Sequence, residues 1–209
     1  MGACIVFGLL GLNSFRAPRV DCLTQEQEEI LALFSLTPGY IDDCDSGSYP
    51  TLRLTGVNLQ IVNGLGSNNA LDGTGNLIVG YHNTHCGGGS HNVIIGESND
   101  VSSYCGLVVG QSNTLAASYG VVFGFSNSVE TTGPGSAVLG GTNNIIEGYS
   151  CTITGGADNF IEDDIAYNVI VGGVSNETTA GQYNVIGGGA NRTVTGTDDW
   201  IAGSLFEDN

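Results

Sequence analysis

The chain has 209 residues, with 21 acids set against four arginines and no lysine, for a formal net charge of −17. A nucleic-acid-binding protein needs a basic face, and an anionic membrane would repel this chain. The 34 glycines look like low complexity, but regularly spaced aliphatic runs argue against disorder.

Residues 1–20 contain an apolar stretch, Ala3 to Leu12, with no leading Lys or Arg. It is too short to cross a bilayer, so no direct membrane span is expected. It reads as a signal remnant or as a segment that inserts into a neighbouring subunit. Residues 21–65 follow as a capping region. Residues 23–34 are expected to form one short helix, with Thr24 as N-cap and Gln27 at the capping-box position. Pro38-Gly39 should end it. Alternation of Leu52, Leu54, Val57, Leu59, Ile61 and Val62 then reads as strands that close the end of a repeat array.

Residues 66–196 repeat. An Asn follows three residues after a Gly at Asn83, Asn99, Asn113, Asn127, Asn143, Asn159, Asn176 and Asn191, in steps of 14 to 17 residues. Gly66-Ser-Asn-Asn69 fits a degenerate first copy. A fixed short period means one small unit stacked on itself. Before each Gly runs a short, mostly β-branched segment such as Leu77-Ile78-Val79, the length of a short strand. A second apolar position follows two residues after the Asn, at Val101, Leu115, Val129, Ile145 and Ile161, with His85, Thr178 and Thr193 filling it elsewhere. Strand, turn, strand and turn use up one coil. The expected fold is all-β, a parallel β-solenoid of about nine coils.

Both faces of the first strand are apolar, and a coil has one inside. The set Ile78, Ile94, Val108, Val122, Val138, Val171 and Ile186 is therefore expected to lie outside and be covered by sister chains. Closed symmetry with a thin roll favours a homotrimer. The recurrent Gly and Asn serve left-handed corners, and the Asn amides can pair along the axis. Asn176-Glu-Thr and Asn191-Arg-Thr match the N-glycosylation pattern but read here as turn asparagines. Tyr104, Tyr119, Tyr149, Tyr167 and Tyr183 should stack as a corner ladder.

The pattern apolar-x-x-Gly-x-x-Asn, with Val-Ile-Gly-Gly-Gly-Ala-Asn at 185–191, resembles the YadA-like head repeats of trimeric autotransporter adhesins. The resemblance covers about residues 76 to 196. It implies a left-handed β-roll that trimerises side by side, and an adhesive or spacer role at the cell surface or outside the cell. No long coiled-coil stalk or barrel-forming strands accompany it, so the membrane anchor is not implied. A surface filament or viral tail fibre that binds carbohydrate is the alternative. A host-surface or glycan ligand would be the partner.

The remaining residues carry weaker signals. Cys22 and Cys44 bracket the expected helix and would staple it in an oxidising compartment. Cys86 and Cys105 lie in neighbouring coils, and Cys4 and Cys151 could bond between chains. His82, His85, Cys86 and His91 have spacings compatible with a metal, but an exposed, lengthened corner is the preferred reading, and no metal or other cofactor is expected. Asp42, Asp43 and Asp45, and Glu162, Asp163 and Asp164, read as solvated loops. An ice-binding face would need a flat Thr array, which Thr114, Thr178 and Thr193 do not make. The acids scatter among corners without a nucleophile motif, so no enzyme is expected. Residues 197–209 are expected to plug the last coil with Trp200, Ile201, Leu205 and Phe206.

Overall fold

The computed structural model describes residues 34–41, 48–54, 56–69, 71–85 and 87–203. The chain divides into two units, residues 1–60 and 61–209. The apolar segment 1–20, residues 23–33 of the expected helix, Cys4, Cys22, Cys44, Cys86, Leu205 and Phe206 lie outside the described residues.

The first unit contains an antiparallel hairpin of β1 (Phe34–Ile41) and β2 (Ser48–Leu54). Phe34 thus opens a strand instead of closing a helix. Pro38-Gly39 falls inside β1, where the register shifts between Thr37 and Tyr40. Both strands of a two-stranded sheet are edges, and an edge bulge tolerates a Pro that cannot donate. Beyond β2 the expected capping strands do not form: residues 57–63 carry no strand. The Gly66–Asn69 segment is not a first coil either. Asn63 holds a local loop, accepting from the Leu65 N–H at 2.9 Å and donating to the Ser67 carbonyl at 3.0 Å.

The second unit is a parallel β-solenoid of about eight turns. Its larger sheet has nine strands: β3 (Leu77–Tyr81), β4 (Val93–Glu97), β6 (Leu107–Gln111), β8 (Val121–Phe125), β10 (Ala137–Val138), β12 (Thr152–Ile153), β14 (Val169–Ile170), β16 (Val185–Ile186) and β18 (Trp200–Ile201). The smaller sheet has seven: β5 (Asp100–Val101), β7 (Thr114–Leu115), β9 (Ser128–Val129), β11 (Ile145–Ile146), β13 (Phe160–Ile161), β15 (Glu177–Thr178) and β17 (Thr193–Val194). Each strand pairs with its equivalent one coil away, so every strand position becomes a column of aligned residues.

The lumen admits one side chain per strand. From the large sheet these are Ile94, Val108, Val122, Val138, Ile153, Ile170 and Ile186, all fully buried. Opposite them stand Val101, Leu115, Val129, Ile146, Ile161, Thr178 and Val194. At about 1.5–3 kcal/mol per buried aliphatic side chain, this cluster is the main source of stability. It corrects the expected interface set. Ile94, Val108, Val122, Val138 and Ile186 are the core, not an outer stripe. Ile78 occupies the same column in the first coil but is 42% exposed. Of that set Val171 alone points outward from the strand register, one residue after the core residue Ile170. Alternation was correct; the inside and outside were exchanged, because the residues flanking each core position are apolar as well.

The corners are built from positive-φ residues followed by an inward polar side chain. Ser98, Ser112, Ser126, Asn143, Asp158, Ser175 and Asn191 form one column with φ between 53° and 57°. Behind it, Asn83, Asn99, Asn113, Asn127, Asn144, Asn159 and Asn176 stack. Asn99 donates its backbone N–H and its side-chain amide to the Asn83 Oδ1 at 3.1 and 3.0 Å, and its amide also reaches the Gly110 carbonyl at 2.9 Å. Asn113 repeats this on Asn99 and Gly124. Six of the eight expected turn asparagines are in this ladder. Asn143 and Asn191 are not; Asn144 and Arg192 take their places, and Asn143 and Asn191 are the exposed corner residues just before them. The cause is an extra residue in each later coil: Gly140, Gly155, Gly172 and Gly188 lie between the strand and the column glycines Gly141, Gly156, Gly173 and Gly189. The same shift puts Ile146 and Val194, not Ile145 and Thr193, in the core.

Candidate interaction surface

The outward residues of the large sheet form two columns. The first is Leu77, Val93, Leu107, Val121, Ala137, Thr152, Val169, Val185 and Trp200. The second, two residues on, is Val79, Ile95, Val109 and Phe123, continued after the strands shorten by Leu139, Thr154 and Val171. No ionisable side chain appears in either column, in a chain with 21 acids. Val79, Ile95, Leu139, Val171 and Trp200 are exposed, Trp200 at 72%. Trp200 therefore does not plug the last coil. β18 extends the sheet instead, with Ile201 at the core register and Trp200 on the outer face. Nine strands at about 4.8 Å make this surface roughly 38 Å long.

The opposite sheet has a different outer face. Its outward strand positions are Asp100, Thr114, Ser128, Ile145, Phe160, Glu177 and Thr193. Just beyond the strands, Glu130, Glu147 and Glu162 succeed one another in three coils, each donating its backbone N–H to the next coil. Burial, followed by the charges of Asp163, Glu130 and Glu162, pushes the Glu147 carboxyl above its usual range. The strands of the large sheet hold one acid, Glu97 at the end of β4, whereas the small sheet and its flanks hold Asp100, Glu130, Glu147, Glu162 and Glu177.

The other sequence candidates are dispersed. His82 Nδ1 lies 3.3 Å from Glu97 Oε1, one coil away. His85 is exposed, and the His91 Nδ1 is buried without a hydrogen-bond partner. Among the described residues, no three His, Cys, Asp or Glu side chains form a metal-binding group. Cys105 is a free thiol. Cys151 is fully buried and cannot reach a second chain. It fills a place in a second polar ladder that sequence reading missed, at the other corner. There Asn92 stacks on Asn76, Ser136 Oγ accepts from the Cys151 N–H at 2.9 Å, Cys151 Sγ accepts from Asn168 at 3.4 Å, and Asn168 Oδ1 accepts from Asn184 at 2.8 Å. The Asn residues at 76, 92, 168 and 184, each 16 positions from its neighbour within a pair, were the available signal. Burial pushes the Cys151 thiol up, which keeps it protonated. The tyrosines do pair between coils: Tyr104 with Tyr119 and Tyr149 with Tyr167 edge to face, and Tyr167 with Tyr183 stacked at 5.3 Å.

No family model matches the chain, and neither does any curated protein or solved structure.

Proposed function

We propose that this chain is a non-enzymatic structural protein that works as a homo-oligomer, three copies packed through the apolar outer face of the nine-stranded sheet. The observation that carries the reading is the uncharged double column from Leu77 to Trp200. Monomers rarely leave so long an apolar strip in water. A strip with a repeat of about 4.8 Å is matched along its whole length by an object of the same period, and a second copy is such an object. The charge distribution agrees: acids gather on the other sheet and the corners, where copies need not approach.

The resemblance of the repeats to trimeric adhesin heads supports a left-handed roll and a surface-presenting role outside the cell. In that role the corners and the acidic sheet face outward and carry the adhesive or spacer surface. The direct test is sedimentation of the native chain beside Val109→Glu, which places a carboxylate in the middle of the strip. The proposal expects the native chain to sediment as an oligomer and the variant as a monomer with an unchanged far-ultraviolet spectrum. Identical sedimentation of the two would remove this face from the interface.

A further inference from the structure

The chain contains two Asn-x-Thr sequences, and the structure treats them in opposite ways. In Asn176-Glu-Thr178 both the Asn and the Thr are fully buried. The Asn176 amide donates to the carbonyls of Gly172 and Gly189 at 2.9 and 3.1 Å, and its Oδ1 accepts from the Arg192 N–H at 3.1 Å. No atom of that side chain is free for modification, and a sugar on it could not coexist with the closed coil. In Asn191-Arg192-Thr193 the inward position belongs to Arg192. Asn191 and Thr193 are exposed on either side of it. Asn191 sits at a positive-φ corner, φ 53°, held through its backbone N–H to the Val174 carbonyl at 3.0 Å. Its amide makes no hydrogen bond among the described residues.

We infer that Asn191 is an acceptor site for an N-linked oligosaccharide, and that Asn176 is not. The sequence pattern alone cannot separate the two. Burial does, because an N-glycan is bulky and solvated and must leave from the surface. In the transfer, Asn191 Nδ2 bonds to the anomeric carbon of a lipid-pyrophosphate-linked oligosaccharide. The anomeric carbon–phosphate oxygen bond breaks, the lipid pyrophosphate leaves with the electron pair, and the amide gives up one proton. Neither oxidant nor reductant is needed. Asn191 is outside the two apolar columns, so a glycan there leaves the proposed interface clear. The site rests on the proposed export from the cell, and a test that supplies the export route reads the acceptor by itself.

The experiment is secretion of the full chain from a eukaryotic host, followed by intact mass measurement before and after peptide-N-glycosidase treatment. The secreted, folded protein is expected to lose one glycan, with conversion of Asn191 to Asp. Asn191→Gly, which suits the positive φ, and Thr193→Ala, which removes the exposed hydroxyl, should each be secreted without sugar. Asn176→Gln should not change the glycan carried by whatever folded protein is recovered. Secreted native protein with no mass loss, or with the sugar on Asn176, would overturn the assignment.

Discussion

The side chain of a single ladder asparagine holds three polar groups of the two neighbouring coils. Asn113 accepts from the Asn127 N–H at 3.0 Å and donates to Asn99 Oδ1 at 3.1 Å and to the Gly124 carbonyl at 2.9 Å. Asn113→Ala strands buried partners on both sides, at about 1–3 kcal/mol for each unsatisfied group. We expect a loss of about 2–4 kcal/mol, read as a lower denaturation midpoint in urea. Gly110 is a second residue with no substitute: a Cβ there would lie 2.0 Å from the Gly124 carbonyl oxygen, at φ +132°. Gly110→Ala should cost about 4 kcal/mol or more and give little soluble protein. Glu147 works in the other direction. Its carboxyl is raised by burial and by neighbouring acids, so its ionised form opposes folding. The favourable contribution is present below the ordinary carboxylate value, about 4.3, and is lost as pH rises through the raised folded value. Glu147→Gln should therefore raise the melting temperature at pH 7. Below about pH 4 the native chain and the variant should converge.

At the scale of the coil, strand length and corner chemistry are coupled. The first four strands of the large sheet run for five residues and pair through their glycines, as Gly96 does with Gly110. From β10 onward the extra glycine interrupts pairing, and the strands shorten to two residues. This is where sequence reading slipped. The period, the two strands and the two corners were all legible, because β-branched triplets and Gly-x-x-Asn recur in phase. The phase of the later coils was not. Gly140-Gly141 and Asn143-Asn144 offer two candidates for each position, and both Gly and Asn suit a left-handed corner as well as a stacked ladder. Inside and outside were unreadable for a related reason. Val121, Val122 and Phe123 are all apolar, and a face destined for a partner looks like a face destined for the lumen. The second ladder was hidden by its mixed composition, since Ser136 and Cys151 take places that Asn92 and Asn168 hold elsewhere. The first unit gave the weakest signal: Pro38-Gly39 reads as a helix stop, yet it is equally an edge-strand bulge.

For the whole molecule, the opposition to settle is between a net charge of −17 and an uncharged apolar face. Charge repulsion between copies is long-ranged and screened, with a Debye length near 10 Å at 0.1 M salt, whereas apolar contact is not weakened by salt. Association should therefore tighten as sodium chloride rises from low millimolar to 0.15 M, a trend that sedimentation at several ionic strengths measures. An interface held by ion pairs would show the reverse. The measurement that bears most directly on the account is native mass spectrometry of the full chain at physiological salt. The account predicts a particle of three times 21.5 kDa. A stable species at 21.5 kDa, with the face from Leu77 to Trp200 open to water, would contradict it.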